Sequence, residues 1–174
     1  MNDVTKINDH AEMIEGALVV TDKTSTAHNN AVLEISTALR RFTVINNGKS
    51  IVFAGNVALY CDELCDDTGN LFLPDVMSVY NDTGVREDGV HIAPVFVVEV
   101  TSEHTKKNDY IWKMKTYSHI GVKEYWVVDL ERKTIFRYLS KNDYAPEVIV
   151  YPHDDKISVQ TYPPLEIDLS RIFE

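Results

Sequence analysis

Three residues of this 174-residue chain could do chemistry together: Asp75 in LFLPDVMSVY, Glu99 in APVFVVEV and Lys113 in KKNDYIWKMKTY. Glu99 lies inside an apolar run, where a charged side chain is rarely left unpaired. Two carboxylates are hard oxygen donors, which favour Mg2+ or Mn2+ over zinc. A hard cation held between them would polarise a phosphodiester, lower the pKa of a bound water and offset charge in the transition state. A lysine beside it would orient or deprotonate the attacking water. Two acids and a base aimed at one interior predict a metal-assisted hydrolase.

Each of the three sits in an element that can aim it. Val95–Val100 is the most strand-like run of the chain, apolar on both faces as in a central strand covered on two sides. Alternation puts Val95, Val97 and Glu99 on one of those faces. Asp75 follows Pro74, which cannot donate to a sheet ladder, so it stands where a strand is interrupted, at an edge or a bend. A helix is predicted over Asp109–Ile120, closing at Gly121. With Tyr110 set at 0°, Lys113 falls at about 300°, between Ile120 and Tyr117 and inside the apolar sector, while Lys115 falls at about 140°, on its outer edge. Lys113 is therefore the lysine directed at the sheet, with Tyr117 beside it, and Lys115 can reach solvent. Asp109, four residues before Lys113, can pair with it. Taken singly, each residue has a plainer reading. Lys113 could snorkel to water, Glu99 could pair with another base, and Asp75 could be a turn residue.

The rest of the chain supplies a scaffold. Residues 12–20 predict a short strand with a turn at Gly16. A helix is expected from His28 to Val44, with Ala31, Val32, Ile35, Leu39 and Phe42 at helical spacing, Ser25 and Thr26 as N-cap candidates, and Asn46, Asn47 and Gly48 ending it. Ser50–Tyr60 reads as one extended segment bent at Gly55. Residues 61–70 and 81–93 read as connections. EYWVVD after the second helix completes a βαβ unit, hence a parallel strand pair with a right-handed crossover. TIFRYL is its hairpin partner, and further strands are expected near Glu147–Tyr151 and Ile157–Thr161. The fold class is α/β (α+β), a mixed central sheet flanked by helices, in a single domain over residues 1–174.

The composition, 44% hydrophobic and 25% charged, is that of an ordinary globular domain. No stretch approaches the roughly 20 apolar residues of a membrane span. The polar start MNDVTKINDHAEM lacks the apolar core of a signal peptide, so the expectation is a cytoplasmic protein with no membrane contact. Cys61 and Cys65 are too few for a zinc site, and a disulfide is not expected in a reducing compartment. A net charge of -10 and a pI near 5.0 argue against a protein that coats nucleic acid with its whole surface. Between His104 and Glu124, however, Lys106, Lys107, Lys113, Lys115 and Lys123 face only Asp109 and Glu124, a local basic strip suited to a phosphate-containing substrate.

Several stretches together resemble the Uma-two family of restriction-endonuclease-like proteins, a branch of the PD-(D/E)XK nuclease superfamily. They are MIEGALVV, the helix beginning at His28, LPDVMSVY, GVHIAPVFVVEV and KNDYIWKMKTYSHIGVKEYWVVD, of which GVKEYWVVD is the most specific. The resemblance implies a nuclease-like core acting on DNA, with Asp75 and Glu99 binding Mg2+ (or Mn2+) and the backbone carbonyl of Val100 as a further ligand. The superfamily usually places its lysine two residues after the glutamate, where this chain has Thr101. The resemblance puts it instead on the following helix, at Lys113, in agreement with the helical wheel. It also implies a polar contribution from the early helix, for which His28 and Glu34 are candidates; Lys115 and Tyr117 are supporting candidates. The chain departs from the family at Val95, commonly acidic, and at Thr101-Ser102-Glu103, commonly Ser-Pro-Ser. By analogy with nucleases that cut both strands, a homodimer is expected. The competing expectation is a nuclease-fold module without useful catalysis, acting in nucleic-acid binding or protein interaction.

Overall fold

The computed structural model describes residues 11–20, 24–46, 48–65, 69–103, 105–140 and 146–174. The expectations for residues 1–10 and Asn47, and the His104 end of the basic strip, lie outside them. In chain order the elements are β1 (Ala11–Ile14), β2 (Ala17–Val20), α1 (Thr26–Ile45), β3 (Ile51–Ala54), β4 (Leu59–Tyr60), β5 (Leu71–Phe72), β6 (Val76–Val79), β7 (Val85–Arg86), β8 (Gly89–Val90) and β9 (Phe96–Thr101). A π-helical turn, Asn108–Lys113, then runs into α2 (Met114–Ile120), followed by β10 (Glu124–Asp129), β11 (Thr134–Leu139), β12 (Glu147–Pro152), β13 (Lys156–Ser158) and β14 (Glu166–Asp168). No helix among the described residues is long and apolar enough to cross a membrane.

The central sheet has the order β12-β11-β10-β9-β6-β3. Its one parallel pair is β9 with β10, joined through α2 as the βαβ pattern predicts, and the other pairs are antiparallel. All six residues of β9 are buried. Their alternation feeds two cores, one on each face of the sheet. On one face Val98, Val100, Trp126 and Val128 meet Ala31, Ile35 and Leu39 of α1. On the other, Val97, Val127 and Met77 meet Tyr117 of α2 and Leu59 and Phe72 of a second sheet. That second sheet, ordered β2-β1-β5-β4-β8-β7, was not anticipated, nor was the small pair β13–β14.

Local chemistry explains the other differences. α1 is capped by Ser25, whose hydroxyl accepts from the His28 N–H at 3.1 Å, and it outruns the expected helix at both ends. Ser50–Tyr60 is not one strand. Gly55 and Asn56 both take positive φ, so the chain leaves β3 in the central sheet and re-enters as β4 in the second. The expected loop 81–93 contains the hairpin β7–β8, whose two-residue strands are too short to show a period. Pro74 separates β5 from β6, and because β6 lies between β9 and β3 the proline marks a bend, not an edge. Cys61 and Cys65 are free thiols.

Two glycines separate backbone strain from close packing. Gly121 ends α2 at φ 93, and a Cβ there would meet nothing within 4 Å. Gly89 has φ 152, and a Cβ there would lie 2.5 Å from the Ala58 carbonyl oxygen. Gly121→Ala is expected to cost about 1 kcal/mol, the left-handed backbone term alone. Gly89→Ala is expected to cost roughly twice that or more, since backbone must move. Urea denaturation of both variants checks the ranking, and equal losses would contradict it.

Candidate functional site

The register of β6 against β9 builds one half of the site. Val76 faces Val98, so the next step along the ladder sets Asp75 opposite Glu99 and Pro74 opposite Val100. Proline has no N–H to continue the ladder. The Val100 N–H instead donates to Asp75 Oδ2 at 2.7 Å, and the Gly55 N–H donates to the Asp75 carbonyl at 2.9 Å. The other carboxylate oxygen of Asp75 lies 3.1 Å from His28 Nε2 at the start of α1. The Asp75 side chain keeps 20% of its surface open.

Glu99 belongs to the buried half. It is 3% exposed and accepts from the Tyr117 hydroxyl at 2.6 Å and from Lys113 Nζ at 3.0 Å. Lys113, equally buried, also lies 2.8 Å from Glu12 Oε1 and 3.6 Å from Asp109 Oδ1, with its ammonium over the Phe72 ring. Glu12 in turn accepts the Leu73 N–H at 2.7 Å. One ammonium therefore faces three carboxylates drawn from β1, β9 and the helix.

The charges shift one another accordingly. Burial pushes the Glu99 carboxyl well above the ordinary carboxylate range, and Asp109, Glu12 and Asp75 push the same way against Lys113. Burial also raises Asp109, opposed by Lys113 and by hydrogen bonds from Thr105 and Thr101. For Lys113 burial favours the neutral amine, but Glu99, Glu12 and Asp109 together outweigh it and hold the group well above an ordinary lysine. Tyr117 is raised by burial and by Glu99, so it remains a hydroxyl donor. Lys113 is thus an ammonium at neutral pH, in an environment with a surplus of negative charge.

Of the residues singled out from sequence, Asp75, Glu99, Lys113, Tyr117 and His28 are brought to one place, with the Val100 backbone beside Asp75. Glu34 is not among them: it lies 3.9 Å from Arg171, on the side of α1 toward the C-terminal segment. Lys115 is exposed, its ammonium over the Trp112 ring. The buried helix face carries Asp109, Lys113, Thr116, Tyr117 and Ile120, while Ile111 is exposed. The inward stripe is centred on Lys113 and is more polar than the apolar sector predicted, because Asp109 and Thr116 share its face at ordinary helical spacing. The basic strip is spent only in part: Lys106 pairs with Glu131 and Asp129 and Lys113 is enclosed, while Lys107, Lys115 and Lys123 stay exposed. Glu12 was missed. Its signal was a lone acid beside Ile14 in the apolar opening strand, the same signal that marked Glu99.

The donor set fits a hard divalent cation: Asp75 and Glu99 offer oxygens on adjacent strands, within excess negative charge that a cation would relieve. Among the described residues no three His, Cys, Asp or Glu side chains already converge as a ligand group. A cation here would therefore draw on these two carboxylates, a backbone carbonyl such as that of Val100, and water.

Removing the ammonium tests the electrostatics. Lys113→Met leaves three buried carboxylates without a counter-charge and is expected to cost about 3–5 kcal/mol near neutral pH. Glu99 and Asp109 have folded pKa values above their unfolded ones, so they weaken folding as pH rises from the ordinary carboxylate range through the folded values. Lys113, raised, stabilises below its ordinary pKa and loses that contribution only as pH climbs through its higher folded value. The deficit of the variant should accordingly shrink on acidification. Urea melts across a pH series read this directly, and a deficit independent of pH would refute it.

No curated protein matches the chain. Among solved structures, a "putative nuclease belonging to DUF820" from Anabaena variabilis superposes with a TM-score of 0.75 at 17% identity, over 94% of this chain and 89% of that one. At that identity the likeness establishes the fold, a restriction-endonuclease-like α+β domain. Residues 5–170 match the model of the Uma2 family, described as "Putative restriction endonuclease". With nearly its whole length matched, the chain belongs to the Uma2 family.

Proposed function

We propose that the protein is a metal-dependent endonuclease that hydrolyses phosphodiester bonds of DNA. The observation that carries this reading is the Asp75 carboxylate, just before β6, bound to the Val100 N–H beside Glu99 on β9, with the Lys113 ammonium 3.0 Å from Glu99. Asp75, Glu99 and the Val100 carbonyl would hold Mg2+ (or Mn2+). When bound, the cation would supply Lewis-acid polarisation of the phosphate and a more acidic water.

The chain's own groups have separable tasks. Asp75, partly open, faces the side from which a phosphate can approach. Its orientation is fixed by the Val100 N–H and by His28, which Ser25 in turn holds at the helix start. Tyr117 and Lys113 fix the Glu99 carboxylate by two hydrogen bonds. Attack of water forms a new P–O bond and breaks the ester bond to the leaving sugar oxygen, with the attacking water's proton passing to solvent and the leaving oxygen taking one from solvent. A lysine held as an ammonium by three carboxylates cannot take the water's proton, so of the two roles expected for Lys113 it fills orientation and charge stabilisation. Cutting both strands of a duplex would take two copies of the chain.

One observation favours a second reading, a nuclease-fold module without turnover: Glu99 and Lys113 are both 3% exposed, so a substrate phosphate meets Asp75 first.

Supercoiled plasmid with Mg2+ or Mn2+ separates the two. Wild-type protein should nick or linearise it, and Asp75→Asn or Glu99→Gln should reduce the rate at least about a hundredfold. In parallel, Mg2+ at about 100 times its Kd should stabilise the wild type by about 2.7 kcal/mol and leave Asp75→Asn unmoved. Absence of cleavage with either metal, or equal cleavage by the variants, rules out the enzyme reading.

A further inference from the structure

Of the clustered lysines Lys106 and Lys113 are engaged with acids and Lys107, Lys115 and Lys123 are exposed, but another stretch of this acidic chain carries no acid at all. From Ile35 to Cys61 there is neither Asp nor Glu, while Arg40, Arg41 and Lys49 are all present. The fold turns this stretch into a feature of the surface. Between the C-terminal half of α1 and β3 runs a groove of about 520 Å3 lined by Thr37, Arg40, Arg41, Val44, Ile45 and Ala54, among others. Arg40 and Arg41 are exposed, and neither has a carboxylate partner among the described residues. Val44 and Ile45 are 64% and 66% exposed.

Both walls of the groove are elements that also reach the candidate site. On the β3 side, Ala54 adjoins Gly55, whose N–H is hydrogen-bonded to the Asp75 carbonyl. On the other side, α1 starts at the Asp75 carboxylate through His28. Arg40 is twelve residues further along that helix, about 18 Å at the α-helical rise, which spans about five nucleotides of a strand.

We propose that this groove is the track along which one nucleic-acid strand leaves the scissile position, with Arg40 and Arg41 pairing with its phosphates. The inference rests on the nuclease reading and extends it to a binding surface. The guanidinium fork matches phosphate oxygens in pairs, and two arginines without a carboxylate partner, on an acid-free stretch of sequence, give a local positive field despite the net charge. The apolar wall of Val44 and Ile45 suits sugar and base faces. A second copy docking through the same patch about a two-fold axis would set each arginine pair against its own image, and like charges disfavour that occupant.

The test is fluorescence anisotropy of a labelled oligonucleotide, duplex or single-stranded, bound by the full chain in EDTA across a KCl series. It is read beside plasmid cleavage in Mg2+. The double variant Arg40→Gln, Arg41→Gln should bind at least tenfold more weakly at low salt, and its log K against log salt slope should be shallower by about two. Its thermal melt should match that of the wild type, since both side chains are exposed. Asp75→Asn should keep its binding while losing cleavage. Unchanged affinity and slope in the double variant overturn the groove assignment, and if the wild type still cleaves, the nuclease reading stands without it. A wild type that binds neither oligonucleotide overturns the assignment as well. So does a wild-type dimer, by sedimentation, that Ile45→Asp dissociates, because the groove is then an interface between copies.

Discussion

The Lys113 ammonium, enclosed by Glu12, Glu99 and Asp109, is the interaction on which the arrangement of this domain depends. The three acids come from the second sheet, the central sheet and the connecting helix, so a single cation joins layers that otherwise meet through apolar contacts. Taking even one charge out of water costs several kcal/mol, and well-packed apolar residues of similar volume would commonly be as stable or more so. Stability alone is thus a poor account of four ionisable groups in one interior. On the proposed nuclease reading, a requirement to keep Glu99 available to a cation, with its charge partly screened and its carboxylate aimed, would account for them better.

The second constraint is Pro74. A regular strand at this position would satisfy the Val100 N–H with a backbone carbonyl and leave the next side chains pointing alternately into the two cores. The proline bends the chain out of that ladder, and the carboxylate of Asp75 accepts the Val100 N–H in place of a backbone carbonyl. The same bend sends β5 into the second sheet, bringing Phe72 and Leu73 against Lys113 and Glu12. One residue thus presents an acid at the open end of the sheet and closes the lid over the buried half. Asp75 stays partly wet while Glu99 is dry, which is why burial shifts Glu99 so strongly.

What could be read from sequence was the environment of each side chain taken singly. A Glu in a doubly apolar strand must be buried, and a Lys in an apolar helical sector must point inward. A βαβ pattern must put that strand and that helix together. Those local rules located Glu99 and Lys113 and the parallel pair β9–β10. They were silent on partners supplied from far along the chain. Glu12 is 101 residues from Lys113 and reaches it only because β1 joins β5 in a separate sheet. His28 meets Asp75 only because α1 crosses the sheet at that end. Strands of two residues, such as β4, β5, β7 and β8, have no period to read, so the second sheet stayed hidden although it covers half the core. Glu34 shows the opposite failure: helical periodicity allows it inward or outward, and the C-terminal Arg171 settles the matter.

Net charge is the remaining quantity that sequence states and structure reinterprets. A total of -10 would repel a polyanion if the charge were smeared over the surface. At physiological ionic strength, however, a charge is felt over only about 8 Å, so an approaching phosphate responds to the nearest few side chains and not to the sum. The acids are unevenly spent. Several are internal, with Glu12, Glu99 and Asp109 around Lys113, Asp129 bonded to Tyr110 and Arg132, and Glu124 holding Trp126 and Thr161. Of the lysines of residues 106–123, Lys106 and Lys113 are paired with acids, while Lys107, Lys115 and Lys123 stay exposed. Arg40 and Arg41 stand where the sequence contains no acid for 27 residues, about 18 Å along α1 from the end at which His28 meets Asp75. An acidic chain can in this way be locally cationic at one end of its central sheet, and it is the local field that decides which way a phosphate backbone can lie.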